Sequence, residues 1–183
     1  METKNHIFNI KSFEEDGSFK GYASVFNNID LQQELVMPGA FNKSLQKWQL
    51  SQQLPKMLWQ HDPKIPIGLW KSIREDEHGL FVEGKLLLDI RQGKEAYTLL
   101  KAGVVDGLSI GYDVVKAQRQ NKHRLLQEID LHEISLVTFA ANPAAKVTAH
   151  KQLLLDSQRL DLLVQRFKKV EAMFFQETSA YQM

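Results

Sequence analysis

The sequence predicts an α+β protein built mainly on antiparallel β-structure. Two observations carry that expectation. Runs rich in β-branched and aromatic residues flank short polar turns, and two stretches with helical apolar spacing lie between those runs. A chain of 183 residues, 43% hydrophobic and 25% charged, is long enough to enclose one core without covalent staples. One compact domain followed by a tail is expected.

The elements follow in chain order. The runs 6–13 and 19–26 flank the turn-prone Glu15-Asp16-Gly17-Ser18 and read as a hairpin. Pro38 suits the first turn of a helix, and Phe41, Leu45, Trp48 and Gln52 repeat at helical spacing, so 38–53 is expected to be an amphipathic helix packed on the sheet. A second hairpin is read from 66–74 and 80–88, joined by Glu75-Asp76-Glu77-His78-Gly79. From 91 to 102 the pattern is helical again, with Ala96, Leu99 and Leu100 apolar and Gly103 placed as a stop. Strands at 107–116 and about 124–137 complete the order. Past Pro143 the texture changes: Leu160, Leu163, Phe167, Val170 and Phe174 alternate spacings of three and four, the mark of an amphipathic C-terminal helix. Its apolar stripe needs cover, from its own domain, a twin subunit or a scaffold. The expected division is therefore a domain over 1–147 and a helical tail over 148–183.

Composition narrows the function classes. A formal net charge of +1 gives no electrostatic reason to expect a nucleic acid or an anionic membrane as partner. The absence of cysteine excludes disulfides, thiolate metal sites and a cysteine nucleophile. Six scattered histidines and the carboxylates would have to carry any metal, and no metal or cofactor is expected. METKNHIFNIKSF has no basic stretch leading into a long apolar core, and no run approaches the ~20 apolar residues that span a bilayer. A soluble chain, intracellular where it is made, is expected.

Three stretches carry chemistry. GLSIG, 107–111, sets Ser109 between glycines, a spacing shared with the nucleophile elbow of α/β-hydrolases. Here Leu108, Ile110, Tyr112 and Val114 alternate with Gly107, Ser109, Gly111 and Asp113, so strand periodicity runs straight past the serine where an elbow would turn into a helix. On its own face Ser109 has only glycine neighbours, which would leave its hydroxyl on a surface open to a substrate backbone. It reads either as a nucleophile or as a small structural residue. In LWQHDPKIPIG, His61 ends a short apolar run and Asp62-Pro63 marks a turn, placing the imidazole at a sheet rim, as a base for a serine or as an ordinary edge residue. In EIDLHEISLVTFAANP, alternation puts Ile134, Leu136 and Thr138 on one face and Glu133, Ser135, Val137 and Phe139 on the other. A carboxylate opening an apolar strand needs a partner or solvent, and orienting a histidine would supply the first.

Together these stretches resemble the prohead protease family of tailed phages, head-maturation serine peptidases related to the herpesvirus assemblins. The resemblance rests on GYASVFNNID at 21–30, VMPGAF at 36–41, LWQHDPKIPIG at 58–68, HGLFVEGKL at 78–86, LLKAGVVDGLSIGY at 99–112 and EISLVTFAANPAAKV at 133–147. It covers about 20–147, in the family's order. It implies a small, closed or partly closed antiparallel β-barrel flanked by helices, with Ser109 as nucleophile and His61 as general base. Glu133 stands where the herpesvirus relatives open a strand with the third triad histidine, which makes it the expected third member. A one-residue shift would choose His132 instead, but alternation points those two side chains to opposite faces. Main-chain N–H groups around Ala141 and Asn142 are the implied oxyanion donors. The implied substrates are the scaffold segment of the major capsid protein, internal head proteins and the enzyme itself, cut inside the assembling prohead in the host bacterial cytoplasm. Self-association, as a dimer or larger, goes with the tail. Two readings compete: a catalytically silent assembly scaffold with the same fold, and a stand-alone serine peptidase or esterase.

Overall fold

A computed structural model describes residues 15–148. The 6–13 arm of the expected first hairpin and the expected tail helix lie outside the described residues. Within them the order is β1 (Ser18–Val25), β2 (Glu34–Val36), α1 (Asn42–Leu50), β3 (Lys56–Trp59), β4 (Asp62–Glu75), β5 (Gly79–Leu86), α2 (Arg91–Lys101), β6 (Gly107–Gln120), β7 (His123–Val137) and β8 (Val147–Thr148). The sheet is mostly antiparallel, as expected, but β7 pairs in parallel with both β2 and β3. Neither parallel ladder is written in local periodicity, because each joins strands far apart in the chain.

β7 organises the sheet. Its antiparallel hairpin with β6 runs from Gly107↔Val137 to Gln120↔His123. Its other edge receives β2 at Arg124–Leu126 and β3 at Glu133–Leu136. From β3 the sheet continues through β4, β5 and β1 to β8. It curls, so that Lys146 bridges back to Gly107 and the Leu108 N–H bonds the Ala145 carbonyl, while neighbouring Val147 pairs with Gly21 of β1. The result is a curled half-barrel with two helices.

Alternation along β6 and β7 separates core from chemistry. Leu108, Ile134 and Leu136 are fully buried and join Ile67, Leu80, Leu86, Leu100, Leu126, Ile129 and Leu131 in one core. Each such aliphatic side chain contributes about 1.5–3 kcal/mol of burial. Phe19 and Trp70 meet edge to face at 5.6 Å beneath β1 and β4. α2 buries Ala96 and Leu100, and the Gly103 N–H closes its end on the Leu100 carbonyl, where the stop was expected.

The first helix is shorter than its apolar pattern suggests. It begins at Asn42 because Pro38–Phe41 forms a turn instead, with Gly39 in the left-handed region at φ +89. The Glu75 carboxylate accepts from the N–H groups of Gly39 and Phe41 and fixes that turn against the end of β4. α1 then docks on β7 through polar contacts: the Trp48 indole N–H donates to the Leu131 carbonyl at 2.8 Å, and the buried Ser44 hydroxyl accepts the Leu131 N–H at 2.8 Å.

Candidate active site

His61 is presented by a tight turn that its sequence conceals. Trp59 pairs with Asp62, leaving Gln60 at φ 53 and His61 at φ 61 as the two central residues. Both left-handed residues fit a type I′ hairpin turn, whose usual sequence is Asn-Gly. The turn expected at Asp62-Pro63 is thus displaced by two residues, and Asp62-Pro63 opens β4, a position where a missing N–H does not break the ladder. Tertiary bonds hold the unfavourable backbone. The Gln60 N–H reaches the Leu136 carbonyl at 3.0 Å, its side-chain amide donates to Thr138 Oγ1 at 2.8 Å, and the Thr138 N–H donates back to Gln60 Oε1 at 3.3 Å. The His61 N–H itself donates to Ser135 Oγ at 3.1 Å.

Ser109 and Glu133 come from the paired strands beside that turn. Ser109 lies opposite Ser135 and Gly111 opposite Glu133. His61 Nε2 stands 2.9 Å from Ser109 Oγ, and His61 Nδ1 stands 2.5 Å from Glu133 Oε1. Glu133 Oε2 accepts the Ser135 hydroxyl at 2.7 Å. The sequence leads one to expect the glycines flanking Ser109 to clear space for substrate, yet at Gly111 the space is filled from within. A Cβ there would lie 2.3 Å from Glu133 Oε1, so this glycine makes room for the carboxylate.

The electrostatics follow from this row of contacts. An ionised carboxylate only accepts, so in the neutral ring Nδ1 carries the hydrogen and Nε2 turns a lone pair toward the serine hydroxyl. The hydrogen bond that His61 donates to Glu133 raises the His61 pKa above its ordinary 6.5; partial burial opposes this and the carboxylate's charge adds to it. His132 lies outside the group. Its Nε2 pairs with Asp113 Oδ2 at 2.9 Å, on the half-exposed outer side of the hairpin.

Ser109 and His61 open on a cavity of about 340 Å3 that Ala141 and Asn142 also line. The Ala141 carbonyl accepts the Leu31 N–H at 3.0 Å. The Asn142 side chain donates to the Val25 carbonyl at 2.9 Å and accepts from Asn28 at 2.7 Å and from the Ala144 N–H at 3.1 Å. The loop after β7 is thus pinned to the loop after β1. On the cavity's far wall the buried Glu34 accepts from the Tyr112 hydroxyl at 2.6 Å and from Arg124 at 2.8 Å. Burial, then the bond to Glu34, pushes the Tyr112 pKa well above the usual phenol value. Among the described residues no group of three His, Asp or Glu is placed to hold a metal ion.

Gln60, Asn28 and the contacts of Ser135 are not among the residues the sequence points to. For Ser135 a signal existed, since it lies two residues from Glu133 on the same strand face; Gln60 and Asn28 act only through contacts made in the folded chain.

The chain is 36% identical over 145 residues to the prohead protease of Enterobacteria phage HK97, across 76% of this chain and 62% of that protein, so it spans under two thirds of that relative's length. Its fold matches that of the bacteriophage T4 capsid assembly protease, with a TM-score of 0.52 at 11% identity over 73% of this chain and 82% of that one. The KSHV protease, solved with a hexapeptide phosphonate inhibitor, aligns at a TM-score of 0.48 and 14% identity over 82% of this chain and 76% of that one. The model of the caudovirus prohead serine proteases matches residues 6–157, and the chain belongs to that family.

Proposed function

We propose that this chain is a serine endopeptidase of phage capsid maturation, with Ser109 as nucleophile, His61 as general base and Glu133 as the group that orients the imidazole. The observation that carries it is the unbroken run from Ser109 Oγ through the His61 ring to Glu133, at 2.9 and 2.5 Å. A serine hydroxyl is a weak nucleophile until a base takes its proton, and this geometry supplies one. His61 Nε2 accepts the Ser109 proton as Oγ bonds to a peptide carbonyl carbon, and returns it to the leaving amine when the C–N bond breaks. Water then hydrolyses the acyl-enzyme by the same proton route. Glu133 stabilises the imidazolium formed in each step without itself becoming protonated.

The oxyanion needs donors fixed in advance. The N–H groups of Ala141 and Asn142 are the proposed pair, supported by their place on the cavity wall and by the clamps on that loop. The proposed substrates are the scaffold segment of the major capsid protein, internal head proteins and the chain itself, cut inside the prohead. Confinement at high local concentration would stand in for tight substrate binding. The tail from 148 is proposed to carry targeting or self-association, supported by the spacing of Leu160, Leu163, Phe167, Val170 and Phe174. Deleting 151–183 should then spare peptide hydrolysis and lower incorporation into proheads.

The test is co-expression with the neighbouring capsid protein, wild type beside Ser109→Ala, with intact masses of both chains. Loss of an N-terminal segment from the capsid protein with the wild type alone supports the reading. Equal, uncut masses favour the silent scaffold. Cleavage of small acyl esters by the free protein with no effect on capsid protein favours the stand-alone esterase.

A further inference from the structure

We propose that Ser135 is a positioning residue, whose hydroxyl locks both the Glu133 carboxylate and the His61 turn in register with Ser109. This rests on the triad reading above. Ser135 is fully buried on β7, with Leu58 of β3 beside it on one edge and Ser109 of β6 on the other. A buried hydroxyl must use its hydrogen-bonding capacity or carry an unmet desolvation cost. A structural serine in a strand commonly spends that capacity on nearby main chain or water. Here it donates to Glu133 Oε2 at 2.7 Å and accepts the His61 N–H at 3.1 Å.

Each bond removes a specific freedom. Glutamate has three side-chain torsions, and a second anchor on Oε2 leaves Oε1 aimed at His61 Nδ1. The His61 backbone sits at φ 61, a conformation that persists only where surrounding contacts over-determine it, and its N–H is tied down by this one side chain. One oxygen atom therefore fixes the acceptor and the donor of the same hydrogen bond. Displacement of such groups by about 1 Å can slow a reaction 10²-fold.

The experiment follows covalent labelling of Ser109 in the full chain by a fluorophosphonate probe, read by intact mass. Ser135→Ala removes one atom and adds no volume. We expect its labelling rate to fall by about 10–100-fold. With Glu133→Ala added, the combined loss should be clearly smaller than the product of the single losses, because the two side chains act through one contact. Ser135→Cys, which keeps a weak donor, should recover part of the rate, and it serves as the test variant should Ser135→Ala not fold. A wild-type rate in Ser135→Ala, or losses that simply multiply, overturns the assignment. A wild-type chain that takes no label while folded overturns the triad reading, and the role of Ser135 falls with it.

Discussion

Gly111 and Glu133 face each other across the β6–β7 hairpin, and the glycine's missing side chain is the space the carboxylate occupies. Gly111→Ala should therefore drive Glu133 off His61 without touching Ser109 or the imidazole. The expected outcome is a loss of at least about 10²-fold in kcat, with KM little changed and a cooperative urea transition retained. An alanine variant with full activity would show that the carboxylate has no fixed place in catalysis.

His61 gives a pH dependence with a definite sign. Its pKa is raised above 6.5, chiefly by the hydrogen bond it donates to Glu133, and only the neutral ring can accept the serine proton. The acid limb of kcat/KM should have its midpoint above 6.5, and Glu133→Gln should move it to lower pH while reducing the plateau. Stability runs the other way. A group whose pKa rises on folding stabilises the native state fully below its unfolded value near 6.5, and this contribution is lost as pH climbs through the folded value. Rate profiles and denaturation midpoints across pH 5–9 check both trends; an acid limb below 6.5 in the wild type would contradict the first.

Glu75 offers a stability test remote from the proposed chemistry. It accepts two main-chain N–H groups in the turn that starts α1. Glu75→Ala should destabilise the fold by about 1–3 kcal/mol in urea, the range for leaving such donors without a partner. Catalytic rates at 25 °C should stay near the wild type.

Tyr112 and Glu34 test the far wall of the cavity. Tyr112→Phe removes a 2.6 Å bond to a buried carboxylate and should cost about 1.5–3 kcal/mol. The Tyr22 and Tyr112 phenols are both pushed up, Tyr112 further, which predicts that the latest of the tyrosine ionisations in an absorbance titration belongs to Tyr112. Loss of that late step in Tyr112→Phe assigns it.

Much of this site is legible in the chain because strand alternation is a local property. The same period that buries Leu108, Ile134 and Leu136 sends Ser109, Glu133 and Ser135 to the opposite face. It also separates Glu133 from His132. The sequence was least informative where distant segments meet. Gln60-His61 lacks the glycine or asparagine that announces such a turn, because Leu136, Thr138 and Ser135 hold it rather than its own residues. β2 and β8 span three and two residues, too short for any period to register. The sequence starts α1 too early because Pro38 signals a first helical turn equally well, and only the Glu75 carboxylate shows that Gly39 turns the chain there instead.

The place of β7 between β6 and β3 has a consequence for the order of synthesis. A ribosome that has reached Gln120 has already made the serine and the histidine, but not the strand that lies between theirs. That strand carries the carboxylate, and the loop at 141–142 is translated after it. A nascent chain therefore cannot set Ser109 and His61 in their places until β7 is made, and under the proposed reading it would gain the means to cut only when nearly the whole described fold is present.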